Sequence, residues 1–416
     1  MKKQTIQQVI TLVVSLLLIY AAYSYIVGDG TVFKGTMEGS TIKARVIRVT
    51  DIKNDNVTGE NAVETVYFTA QVLSGKMRGK TINVIQEIDK SYAFSPREVK
   101  QNDKILVESY TENNTSNYYF GDYVRITPLI VLGAIFCLLI ICFSRAQGLK
   151  TVISLAVTCL AVFLVLLPAV LNDKNIYLWS ILCCLFTTVM TLALISGYNR
   201  KSLCACIGCM SGVACSGIIT VITDKFLNMT GLLEEESIYL YQLYPNNPIN
   251  LKAIIFAMII VGALGAVMDV AMSISSSLYE LKQKSPDIKP AELIKSGFTI
   301  GGDMMGTMAN TLVLAYIGSN LTCVVLLVSY NANLQQVINK EKIIAEVLQA
   351  LAGSMGMLLT LPLTTLVCAL IYFRKVKPNA SRKNESTVEQ SKELKICCRF
   401  IQCGKYGNGS RRVKSR

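Results

Sequence analysis

GALGAVMDVAMSISSSLYELKQKSP (Gly262–Pro286) and, after a short link, LIKSGFTIGGDMMGTMANTLVLAYIGSN (Leu293–Asn320) decide how this chain reads. Two apolar segments here carry Asp269, Ser273, Asp303 and Asn310 where only aliphatic side chains would be expected. At 100° per residue, Gly262, Ala266, Asp269, Ser273, Ser276 and Glu280 fall on one helical face. Gly262 and Ala266 keep the upper half of that face small, so a neighbouring backbone packs closely there. The lower half is polar and is expected to face a bundle interior or a wet cavity, not lipid. A carboxylate two turns inside a membrane helix costs roughly 2.5 kcal/mol or more, which makes Asp269 a candidate functional residue. No Lys or Arg lies between Gly262 and Glu280 or between Gly297 and Asn320, so no cation within either segment neutralises the aspartates. Gly301, Gly302 and Gly306 predict a broken or re-entrant helix start around Asp303, in a cleft it shares with Asp269.

Outward from this stretch, apolar runs of about 20 residues recur between short charged links, the pattern of a polytopic helical membrane bundle. Eight spans are expected: Val9–Val27, Pro128–Phe143, Val152–Leu171, Ile176–Ser196, Leu203–Leu227, Ala253–Ser275, Asn310–Tyr330 and Leu348–Phe373. Arg145, Lys150, Arg200, Lys201, the link around Lys282–Lys295 and the tail mark one side as cytoplasmic, which puts both termini there. Asp173, Glu234 and Glu341 fall on the other side. Residues 1–28 read as an uncleaved signal anchor and 29–125 as an exported domain. In that domain, Thr41–Val49, Val66–Ser74, Lys80–Glu87, Lys104–Ser109 and Tyr118–Ile126 alternate as five strands of a small OB-like barrel. Residues 126–376 form the seven-helix membrane domain. Gly208, Gly212 and Ser216 make a second small packing face within it. Asn333–Leu351 is amphipathic, with Glu346 and Gln349 near its inner end, and Pro362 is expected to kink the last helix. Residues 377–416 read as a disordered basic tail touching anionic lipid.

The chain has 416 residues, 52% of them hydrophobic, and a formal charge of +13. From Arg374 onward 13 Lys/Arg face three Asp/Glu, so most of the excess sits in the tail and marks lipid contact, not nucleic-acid binding. There is no histidine, which removes Ser-His-Asp triads, histidine acid–base chemistry and the usual zinc and haem ligands. All 14 cysteines lie at Cys137 or beyond, mostly in apolar runs, where small inert thiols are expected in place of a metal site. No cofactor, metal or enzymatic activity is expected. An aspartate dyad doing hydrolysis is a distant third reading.

Val261–Glu280, Gly297–Asn320 and Leu351–Thr365 (LAGSMGMLLTLPLTT) carry MD-x-A-x-S-I and MGTM-x-NTL-x-LAY-x-G, and there the chain resembles the YibE/F-like family of bacterial membrane proteins. The resemblance runs from Val9 to Phe373 and implies a multi-pass plasma-membrane protein. The family pattern often has a basic residue before the Asp303-type aspartate, where this chain has Gly302. Two functions are expected from the residues themselves. One is a transporter or permease for a cation or small solute, its path lined by Asp269, Ser273, Asp303, Asn310 and Glu346. The other is a non-transporting scaffold or sensor that uses the exported β-domain, with Asn310 and Ser273 as plain interhelical hydrogen-bonders.

Overall fold

The computed structural model describes residues 2–28, 40–55, 63–75, 77–90, 97–112, 115–172, 174–233, 235–243, 248–329 and 333–373. The basic tail (377–416), Asp173, Glu234 and Tyr330 lie outside them.

The first helix, α1 (Lys2–Val27), is apolar over most of its length. It is followed by five strands: β1 (Ser40–Asp55), β2 (Val63–Val72), β3 (Thr81–Asp89), β4 (Lys104–Glu112) and β5 (Thr115–Tyr123). They close into a barrel in the order β1-β2-β3-β5-β4. β1 is long enough to serve both sides. Ser40–Arg45 pairs with β4, and Ala44–Asp55 pairs with β2 through two register shifts that bend the strand. Alternation then does the packing: Val66, Phe68, Ala70 and Val72 of β2 point inward with Val84 and Ile88 of β3 and Ile105 and Val107 of β4. Among the described residues of the barrel, the most deeply buried polar side chain is Gln86. Gln86, 1% exposed, donates from Nε2 to the Arg97 carbonyl and accepts from the Val99 N–H, both at 3.1 Å, so its burial leaves no amide group unpaired.

The remainder of the described chain is helical. α2 (Ile126–Ala161) passes through a π-helical turn (Val162–Leu166) into α3 (Leu167–Leu171), and α4 (Ile176–Ser196), α5 (Arg200–Leu227) and the short α6 (Glu235–Leu243) follow. Then come α7 (Leu251–Lys284), α8 (Pro290–Ser319), α9 (Leu321–Ser329), α10 (Leu334–Ile338) and α11 (Glu341–Phe373). Among the described residues, six helical stretches are long and apolar enough to cross a membrane, with Ile126–Leu171 counted as one.

That count differs from the eight expected spans for two reasons. The expected spans Pro128–Phe143 and Val152–Leu171 are two limbs that meet directly at Arg145, which has φ 50° and ψ −126°, and a Cβ on Gly148 would collide with the Ile140 carbonyl. In a straight helix those residues lie about 12 Å apart, so the helix folds back on itself at Arg145. The other difference lies in the expected Asn310–Tyr330 span. Its helix starts at Pro290, and the continuous run ends at Ser319, with Asn320 at φ −109° and ψ 14° before α9 begins.

Two further expectations are corrected. The chain around Asp303 is neither broken nor re-entrant, because α8 continues through Gly301, Gly302 and Gly306. Glycine weakens a helix without ending it, and flanking good helix formers carry the backbone across. The last helix begins at Glu341, not Leu348, and absorbs most of the stretch expected to be a separate amphipathic segment. It also continues through Pro362.

At the centre of the bundle α5, α7 and α11 pack on one another, burying Cys204, Cys209, Ile260, Ala263, Val267, Ile274, Met357 and Leu361. Small residues make this closeness possible. A Cβ on Gly208 would collide with Thr364 Oγ1, one on Gly212 with Thr360 Oγ1, and one on Gly356 would lie 2.7 Å from Ser216 Cβ. At one end Ser275 donates to the Lys201 carbonyl at 2.6 Å, while the Tyr372 hydroxyl donates to the Ser275 carbonyl at 3.0 Å. That pair of bonds ties the three central helices together. α1, the second limb of α2 and α4 share a separate cluster of Ile19, Val157, Ala161, Met190 and Leu194.

Candidate functional site

The site is built where α8 lies against α7 and α11. Leu293, Gly297 and Gly301, spaced by four, are the fully buried residues of α8. A Cβ on Gly297 would lie 2.6 Å from Thr365 Cγ2 and 3.2 Å from Leu278 Cδ1. One on Gly301 would collide with Leu361, and Ile274 Cδ1 would be 3.5 Å away. These contacts set the register: α8 runs antiparallel to both neighbours, with Gly297 level with Leu278 and Gly301 level with Ile274.

In that register Asp303 stands level with Met272 and Asp269 level with Gly306, so the two carboxylates are about 4.5 Å apart along the bundle axis. Asn310 comes about 6 Å beyond Asp269, and Ser273 lies one turn to its other side. Glu346 is the outlier. Thr365 is level with Leu278, which places Glu346 about 15 Å along the axis from Asp269. The five candidates thus span about 21 Å in level along the axis of α7, α8 and α11, a large part of a 30 Å hydrocarbon layer.

The direction they face departs from the expected bundle interior. Asp269 is exposed, on the strip of α7 that also exposes Gly262 and Gly265, while Val267, Val270, Ala271 and Ile274 form the buried side. Asp303 and Asn310 are exposed together with Gly302, Gly306 and Thr307, on the side of α8 away from Gly297 and Gly301. Ser273 and Glu346 are half-buried. The physical reason is that α8 spends its close-packing glycines on α11 and α7, which turns the aspartate side outward. Among the described residues, neither aspartate is in a salt bridge, and neither lines the cavity in the barrel wall or those between α1, α2, α4 and α7. The shared cleft therefore goes forward as a proposal.

Tyr316 escaped the sequence reading of the site, and Gln349, read there as the inner end of an amphipathic stretch, joins it. The Tyr316 hydroxyl is buried without a hydrogen-bond partner among the described residues. It would lie 3.3 Å from a Cβ on Gly262 and 3.5 Å from one on Gly353. Gln349 Nε2 would lie 3.4 Å from the same Gly262 Cβ. A lone tyrosine inside the apolar run Leu312–Ile317 was the available signal. Gly262 thus accepts the tip of a tyrosine, where sequence reading expected a bare backbone. Ala266 packs part-buried against the central cluster.

A small barrel followed by several long apolar helices is the composition of a membrane protein. The chain belongs to the YibE/F-like protein family, whose model matches residues 132–374, the helical part from the first limb of α2 to the end of α11. No curated protein and no solved structure matches it.

Proposed function

We infer that this chain is a multi-pass permease for a cation or a small solute, and not an enzyme. It resides in a bacterial plasma membrane with both termini cytoplasmic and the barrel exported, and its basic tail rests on anionic lipid. The single observation that carries this reading is the pair Asp269 and Asp303. They sit on adjacent helices less than one turn apart in level, both exposed, with no lysine or arginine against either among the described residues. Unpaired carboxylates are tolerated at membrane depth where water or a mobile cation reaches them. Asn310 and Ser273 extend the polar strip in the two directions along the axis, and Glu346 stands toward one end of it.

Transport is tested with purified protein in liposomes, by following monovalent and divalent cation flux with entrapped dyes. Wild-type protein is expected to pass at least one cation, and Asp269→Asn and Asp303→Asn to abolish that flux while staying folded, since an amide is cheaper than a carboxylate to hold out of water. Equal flux in wild type and both variants would remove the transport reading. The scaffold-or-sensor reading draws on a different observation, a polar groove in the barrel wall.

A further inference from the structure

The barrel has one weak seam. β1 pairs with β2 and β4, β2 with β3, and β4 with β5, each over six or more positions, whereas among the described residues β3 and β5 are bridged at Ile85 against Tyr119 alone. Beside that single bridge lies a cavity of about 820 Å³. Its size is that of a small-molecule site, not of a packing defect. Asn83 from β3 and Asn117 from β5 line it with exposed amides, and Tyr67 and Tyr118 present half-buried rings. Among the described residues its charged lining is Asp51 and Lys80, which balance.

We propose that this groove binds a short neutral oligosaccharide. Each amide offers a donor and an acceptor, the pair that adjacent sugar hydroxyls require. A tyrosine face accepts the C–H side of a pyranose ring, which neither an inorganic ion nor a small anion would use. The balanced charge argues against a nucleic acid, whose binding rests on a surplus of Lys and Arg. An added peptide strand also fits poorly. On the cavity side the edge of β3 runs from Thr81 to Val84, between the turn at Lys80 and the bridge at Ile85, and alternation turns half of those peptide groups toward β2.

The test uses full-length protein in lipid nanodiscs on an array of neutral oligosaccharides: β-1,4-glucans, chitin oligomers, xylans and α-glucans. The best member is then titrated in solution. One glycan class is expected to bind. Tyr67→Ala and Asn83→Ala should each weaken it about tenfold or more, as the loss of one stacking or bidentate group does. Thr41→Ala, on the β4 side of β1, should leave affinity unchanged. Asn83 and Asn117 are exposed, so Asn83→Ala and Asn117→Ala keep the test alive should Tyr67→Ala fail to fold. Binding of no glycan on the array would overturn the proposal. So would wild-type affinity in the asparagine variants, or capture at these residues of an extended peptide or an oligothymidylate in place of any sugar.

Discussion

Adjacent glycines on α8 do opposite things, and the difference is measurable. Gly301 is buried, and a methyl there would drive into Leu361; Gly302 is exposed, with nothing within 4 Å of where its Cβ would stand. Gly301→Ala should therefore cost about 1–3 kcal/mol through overpacking. Gly302→Ala should be neutral or stabilise by up to about 1 kcal/mol, because alanine is the better helix former. Thermal melts of the two variants in detergent check this, and a Gly302→Ala variant that melts as early as Gly301→Ala would mean that the packed side of α8 is misassigned. Glu341 gives a second prediction. Its carboxylate accepts from the Thr230 and Gly231 N–H groups at 2.6 Å each and from the Thr230 hydroxyl at 2.8 Å, which fastens the loop after α5 to the start of α11. Gly231, at φ 92°, holds the left-handed turn that aims its N–H there. Glu341→Gln keeps the shape but gives up the charge, so it should lower stability by about 1 kcal/mol, at the modest end for charged hydrogen bonds because the site is half open to solvent.

Helix against helix, the small faces decide what assembles. Gly208 and Gly212 of α5 receive Thr364 and Thr360 of α11 so closely that no larger residue fits. Gly208→Val should leave no folded protein on size-exclusion chromatography, and a monodisperse peak would contradict the described interface. This element-level pattern was legible because four-residue spacing of small residues is a local signal. The strands were legible for the same reason: all five expected strands exist, with ends shifted by at most six residues. What the sequence hid was non-local. Nothing in the residues around Gly301 and Gly302 says that one lies under Leu361, some 60 positions away, so the glycines read as a helix break when one of them is a helix contact. Arg145 looks like an ordinary charge in the link between two expected spans, and only the structure shows that the reversal is made at this one residue, through a positive φ. Asp269 and Asp303 stood out as polar residues in apolar runs, but their facing depended on which side of α8 the glycines pack, which periodicity alone leaves open.

For the whole molecule, the arrangement of basic links proposes that residues 29–125 lie outside and the α7–α8 link inside. An alkaline phosphatase fusion at Asp103 should then be active and one at Pro286 inactive, and the reverse pattern would invert the proposed orientation. The central claim is that water reaches Asp269 and Asp303 within the helical bundle. Carboxyl labelling tests it most directly: protein reconstituted in lipid bilayers is treated with a water-soluble carbodiimide and glycine ethyl ester, digested and read by mass spectrometry. The account predicts that both Asp269 and Asp303 are modified from the aqueous phase, to an extent comparable with Asp122 on the exposed surface of the barrel. If both stay unmodified in bilayers while Asp122 reacts, the two carboxylates are sealed from water, and the proposed path does not exist.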